Sequence, residues 1–317
     1  KKFGWLAKYI ACEYFSKWFV DNNDPTKQLD PHYDSKSPPG RKCLTHYRKL
    51  IASINKTLGT VQINQCEGTW SSIDFEKSVT SRTLWLQGRA FEYLDQNNKL
   101  RSPSIDRLRC SENYKEYIKK CRDGKATIKH ARTDIMELVR AADEYIIANH
   151  EKCNEQATDA TDATDATETY RDMINLQWEE AGSIIDNFDK STLKYCIPMV
   201  DTSGSMRENN ADALHAAIAL GCRIAEQSAL GKRVMSFSNT AEWIDLSKSE
   251  TLTDMVKTLR DDNSWGMNTN FEAALTRILD ACIETNMHPN EVKKLHLIVL
   301  SDMQIDFADS NANSLHH

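Results

Sequence analysis

The sequence predicts a helical N-terminal region followed by an α/β domain with a largely parallel sheet, and three observations carry that prediction. Before residue 190 apolar residues recur at helical spacing, and alternating β-branched runs are scarce. After Asp189 short apolar runs alternate with helix-length stretches, the pattern of right-handed βαβ units. Between the two lies ATDATDATDATE, Ala157–Glu168, a three-residue repeat with too little apolar surface to build a core.

The elements follow in order. Phe3, Leu6, Ile10, Tyr14 and Phe15 stand three and four apart and predict a helix over Lys2–Val20. Asp21–Gly40 is rich in Asp, Asn, Ser and Pro and reads as a loop. Further helices are expected at Leu44–Leu58, Ser81–Asp95, Glu112–Lys120 and Thr133–Asn149. The repeat reads as a solvated linker. Its end doubles as a helix start, because Asp165 and Glu168 have capping-box spacing ahead of Tyr170–Phe188.

Strands are expected at Lys194–Val200, Lys232–Phe237, Ala241–Leu246 and Leu295–Leu300, with helices at Ala211–Gln227, Leu252–Arg260 and Phe271–Glu284. The connection Ser238–Thr240 is too short for a crossover, so Ala241–Leu246 is expected antiparallel at an edge and the others parallel. Pro198 lacks a backbone donor and predicts an irregularity in a central strand. The domains are then residues 1–150 (helical), 151–169 (linker), 170–192 (connecting helix) and 193–317 (α/β).

Composition bounds the rest. A chain of 317 residues has room for two domains. Its 40% apolar and 27% charged residues are ordinary for a soluble globular protein. No apolar run approaches the roughly 20 residues that span a bilayer, so no membrane partner is expected. The chain opens on a lysine, which leaves room for an upstream targeting segment. Nine cysteines without a C-x-x-C pair argue against a zinc ribbon and for reduced thiols in a cytoplasmic protein. Residues 1–150 hold 26 basic and 18 acidic side chains, a net of +8, whereas the remainder holds 14 and 28, a net of −14. Such opposite halves imply different partners, or halves that attract each other.

The chemistry concentrates at Asp201-Thr202-Ser203-Gly204-Ser205, a D-x-S-x-S pattern between an apolar strand and a helix. Open α/β sheets bind ligands at this carboxyl edge. Hard divalent cations want oxygen ligands, and Mg²⁺ wants six in near-octahedral order. An aspartate and two hydroxyls supply some of these, with Gly204 expected to permit the turn. Two further loops are placed to contribute: Thr269, just before a helix, and Asp302, at the end of the last buried strand.

VDTSGSM, the threonine of MNTNF and the aspartate of LSDM resemble the three loops of the metal-ion-dependent adhesion site of von Willebrand factor A-type domains. The resemblance implies a doubly wound, Rossmann-like domain, C-terminally incomplete at His317, that holds Mg²⁺ or Mn²⁺. It implies that Ser203 and Ser205 bind the metal directly and that Thr269 joins in one ligand state. Asp201 and Asp302 would act directly or through water, and a partner carboxylate would fill the vacant position. QCEGTWSSIDF, NYKEYIKKCRDGKATI and SWGMNTNF extend the likeness to an uncharacterised family of plants, fungi and giant viruses, the domain of unknown function 2828. That architecture is similar to the Ro ribonucleoproteins, whose helical repeats bind RNA.

Enzyme signatures are absent from the sequence. Gly124-Lys125 and Gly231-Lys232 lack the upstream glycine of a phosphate-binding loop, and Asn154 stands where a zinc-protease motif begun by His150-Glu151 needs its second histidine. His215 lies near Ser205 in sequence and reads as a core or solvated histidine, since a metal-bound hydroxyl is a poor nucleophile. Three basic clusters interleaved with aromatics mark a nucleic-acid candidate: Arg41, Lys42, Arg48 and Lys49 beside Tyr47; Arg101, Arg107 and Arg109; and Lys115, Lys119, Lys120, Arg122 and Lys125 near Tyr114 and Tyr117. A solvated helix face is the competing reading of these charges. The sequence therefore points to a non-enzymatic, metal-dependent binding or scaffold protein, with a protein carboxylate on the metal and RNA on the helical part. A protein-only adaptor and a metal-dependent hydrolase are the alternatives.

Overall fold

The computed structural model describes residues 4–15, 37–95, 100–101, 104–128, 133–154, 161–185, 193–238, 240–261 and 270–302. The chain divides into two compact units, residues 1–79 with 104–110, and residues 80–103 with 111–317. Among the described residues no helix is long and apolar enough to cross a membrane.

In the first unit, α1 (Gly4–Phe15) packs on α2 (Pro38–Thr57) through Ala11, Phe15 and Cys43, with Leu44 and Tyr47 against them. The second helix starts six residues before its expected start. Ser37 caps it by accepting from the Gly40 amide at 3.2 Å, and Pro38 and Pro39 occupy first-turn positions that need no N–H. A short helix α3 (Val61–Glu67), unforeseen from the sequence, ends at Gly68 with φ 74°. This is the left-handed stop that glycine adopts without steric cost. A 3₁₀ turn over Trp70–Ser72 follows, and two of its amides turn to Asp106 at the start of α5 (Ile105–Arg122). The Asp106 carboxylate accepts from the Trp70 amide at 2.8 Å, the Ser71 amide at 3.1 Å and the Ser71 hydroxyl at 2.6 Å. Arg107 lies 3.3 Å from the centroid of the Trp70 ring. The GTWSS stretch thus serves local packing.

The second unit holds α4 (Ser81–Phe91), the rest of α5, α6 (Ile135–Asn154) and α7 (Thr161–Ile185), together with the whole sheet. The seventh helix begins inside the tract read as linker, so the helix start expected near Asp165 is displaced to Thr161. Residues 155–160 of that tract lie outside the described ones.

Four strands form a mixed sheet in the order β3-β2-β1-β4: β1 (Cys196–Asp201), β2 (Arg233–Phe237), β3 (Ala241–Asp245) and β4 (His296–Leu300). The first strand pairs in parallel with β2 and β4, and β3 returns antiparallel at the edge, as the short connection requires. Pro198 causes no break. The ladder to β4 runs unbroken from Cys196 to Val200, and the ladder to β2 begins only at Met199, just past the missing donor.

Helix α8 (Glu208–Gln227) packs on β1, and α10 (Phe271–Glu284) covers Ile197, Met199, Met235 and Phe237. Two further helices follow the sheet's first hairpin, α9 (Leu252–Asp261), which packs on α6 and α7, and a short α11 (Pro289–Val292). Helix α6, on the N-terminal side of the repeat, packs against α8 and α9. Its residues pair with the acidic half of the chain, Arg140 with Asp212 at 2.5 Å and Asp143 with Arg260. These contacts of α6 run across residue 150, within the second unit. The apolar face of α6 finds its cover on α8 and α9.

Candidate functional site

Three chain segments meet at the carboxyl ends of β1, β2 and β4, and backbone bonds align them. The Thr202 amide donates to the Phe237 carbonyl at 3.0 Å, which joins the D-x-S-x-S turn to the end of β2. The next carbonyl, that of Ser238, accepts from the Asn270 amide at 2.7 Å. Residue 270 caps α10 through its own side chain, which accepts from the Ala273 amide. The third segment is Ser301-Asp302. Its Ser301 hydroxyl donates to Oδ2 of Asp201 at 2.6 Å, and the Asp302 amide meets the Met206 sulfur at 3.3 Å.

Asp201 is fully buried, and Ser203 is 1% exposed. The Ser203 amide donates to Oδ1 of Asp201 at 2.9 Å, and the Oγ atoms of Ser203 and Ser205 lie 3.2 Å apart. Among the described residues each carboxylate oxygen of Asp201 therefore has one donor. Among the described residues no Lys, Arg or His forms an ion pair with it. A buried charge held only by neutral donors is costly, and a bound cation would offset that cost. Hard oxygen donors converging from one turn, with Asp302 on the adjacent segment, suit a small divalent cation such as Mg²⁺ or Mn²⁺.

Of the expected ligands, Asp201, Ser203, Ser205 and Asp302 lie on segments that the structure brings together, and Thr269 lies outside the described residues. Gly204 sits at φ −60° and ψ −37°, so the turn makes no use of glycine's special freedom. Sequence reasoning missed Ser301 and Met206, the two side chains that tie the first and third segments together. The visible signal for Ser301 was a hydroxyl beside Asp302 at a strand end.

Just beyond the site the chain takes an uncommon path. Asn209, Asn210 and Ala211 have φ of 50°, 65° and 57°, three successive left-handed residues before α8 becomes regular. One turn later His215, 5% exposed, places Nε2 3.5 Å from Oδ2 of Asp143. It is a core histidine. Burial works against the Asp143 carboxylate, yet His215 and Arg260 together hold its pKa below the usual range.

Residues 195–317 match the family model described as a domain of unknown function, DUF7788. The match begins one residue before β1 and spans all four strands and the candidate site; helices α1 to α7 lie outside it. No curated protein and no solved structure matches the chain.

Two of the basic clusters fall in different units. Arg41, Lys42, Arg48 and Lys49 are exposed on α2, in the first compact unit. Lys119 and Lys120 lie on the part of α5 that belongs to the second unit, and Lys120 pairs with Glu116 at 3.1 Å. Tyr114 and Tyr117, expected beside them as stacking surfaces, are core residues at 1% and 3% exposure. The period of α5 turns its tyrosines inward while its lysines face out.

Proposed function

We propose that the C-terminal region is a doubly wound von Willebrand A-type domain whose metal-ion-dependent adhesion site binds a partner protein through a carboxylate. The observation that carries this reading is the convergence of the Asp201–Ser205 turn with Ser301-Asp302 around a buried carboxylate. Ser203 and Ser205 would hold Mg²⁺ or Mn²⁺ with Asp201 and Asp302, and Thr269 would join from the segment before α10. A bound ion supplies a Lewis-acidic position open to an incoming carboxylate. The chain's own contribution is positional: β1 and β4, paired side by side, deliver the two aspartates to one edge. The protein is then a metal-dependent scaffold rather than an enzyme. Turnover lost on Asp201→Ala would instead favour a hydrolase.

The test is linkage between metal and stability. Mg²⁺ at 100 times its dissociation constant should raise the unfolding free energy by about 2.7 kcal/mol. Asp201→Ala should abolish that gain, and Ser203→Ala should reduce it. A wild-type melting temperature indifferent to Mg²⁺ and Mn²⁺ sinks the reading.

A second reading adds RNA on the helical region, and the exposed set Arg41, Lys42, Arg48 and Lys49 on one helix favours it. Without RNA the chain would be a protein-only adaptor.

A further inference from the structure

We infer that Ser301 sets the cation preference of the centre proposed above, on which this inference rests. Ser301 directly follows β4 and Asp201 ends the neighbouring β1, so the parallel register of the two strands, last paired at Val200 and Leu300, brings hydroxyl and carboxylate together. Asp201 is gripped at both oxygens: the Ser203 amide holds Oδ1 at 2.9 Å and the Ser301 hydroxyl holds Oδ2 at 2.6 Å. The side chain is also fully buried. A carboxylate held in this way cannot turn about its Cβ–Cγ bond, so its number of ligating oxygens is frozen.

Cation choice depends on that freedom. Ca²⁺ takes about six to eight oxygens in loose geometry and exploits carboxylates that switch between one and two ligating atoms. Mg²⁺ takes six in strict octahedral order and gains from a rigid donor. Of the two grips on Asp201, the Ser203 amide is backbone and belongs to the turn itself. The Ser301 hydroxyl is the grip that a side-chain substitution removes. Ser301 thus acts through Asp201 as a positioning residue that favours Mg²⁺ and Mn²⁺ over Ca²⁺.

The experiment uses the full chain and follows Mn²⁺ by electron paramagnetic resonance, with Mg²⁺ and Ca²⁺ as competitors. Wild type should bind Mn²⁺ saturably and release it to Mg²⁺ more readily than to Ca²⁺. Ser301→Ala should move the ratio of the two displacing concentrations toward Ca²⁺ by about tenfold, the lower range for lost outer-shell contacts. Ser301→Thr, which keeps the hydroxyl, should retain the wild-type ratio. A general loosening of the fold weakens both competitors and leaves the ratio unmoved, so the ratio reports positioning. If the alanine variant does not fold, Ser301→Cys takes its place as a near-isosteric weak donor with the same expected shift. An unchanged ratio in a metal-binding variant, or a wild-type preference for Ca²⁺, overturns this inference alone. A wild-type chain without saturable Mn²⁺ binding overturns the metal centre and this inference with it.

Discussion

The guanidinium of Arg223 lies 3.5 Å from the centroid of the Trp178 ring and donates to the Trp178 carbonyl, so a side chain of α8 binds the backbone of α7. Glu226 closes the group, accepting from Arg223 at 2.8 Å and from the Trp178 indole at 2.9 Å. Gly182 makes room for it. A β-carbon at that position would stand 2.6 Å from Nη1 of Arg223. The guanidinium is tied on three sides and only 8% of Arg223 is exposed, so it has little room to withdraw. Gly182→Ala should therefore destabilise the chain by about 1–3 kcal/mol. Urea unfolding of the two proteins decides this; equal midpoints would mean that the arginine moves freely.

Gly221 plays the same part between α8 and the sheet. A β-carbon there would lie 2.7 Å from Cγ2 of Val200, which is paired with strands on both sides. Gly221→Ala is expected to cost about 1–3 kcal/mol through overpacking. It should also weaken Mg²⁺-dependent stabilisation, because Val200 immediately precedes Asp201. Loss of stability with an intact Mg²⁺ response would separate packing from the site.

Asp106 should give the first unit an acid-sensitive contribution. The Ser71 hydroxyl, joined by the Ser71 and Trp70 amides and the nearby Arg107, holds its carboxyl pKa below the ordinary value. A depressed folded-state pKa contributes stability above the unfolded pKa and loses it as pH falls through the folded one. The window is therefore below the ordinary carboxylate pKa of about 4. Compared across roughly pH 5 to pH 3, the stability advantage of wild type over Asp106→Asn should shrink. A gap that stays constant over that range contradicts the assignment.

RNA binding, if α2 carries it, should show a steep salt dependence. Affinity for a single strand should fall by about 0.7 log units per log salt for each phosphate neutralised. Replacing Arg41, Lys42, Arg48 and Lys49 by alanine should weaken binding to all sequences and flatten that slope. The Lys119/Lys120 pair should matter less, since Lys120 is engaged by Glu116 and the tyrosines beside it are buried. Filter binding of the full chain checks this. No retention at about 0.1 M salt favours the protein-only adaptor.

Local pattern determined much of this protein. Four strands fell within two residues of their expected bounds, because short apolar runs flanked by polar turns have few other ways to be buried. The antiparallel edge followed from the length of one connection. The oxygen-rich turn at Asp201 was legible because its residue types state their chemistry. Tertiary structure decided the rest. Burial turned Tyr114 and Tyr117 into core residues, which composition reads only as aromatics near lysines. The surfaces of α8 and α9 gave α6 a partner beyond the repeat, although no local signal in α6 names its neighbour. The bond from Ser301 to Asp201 spans 100 positions of sequence and exists because β1 and β4 lie side by side in parallel. Periodicity reports which face of an element is apolar; only packing chooses what that face meets, because the free energy of burial depends on area and fit and carries no address in the chain.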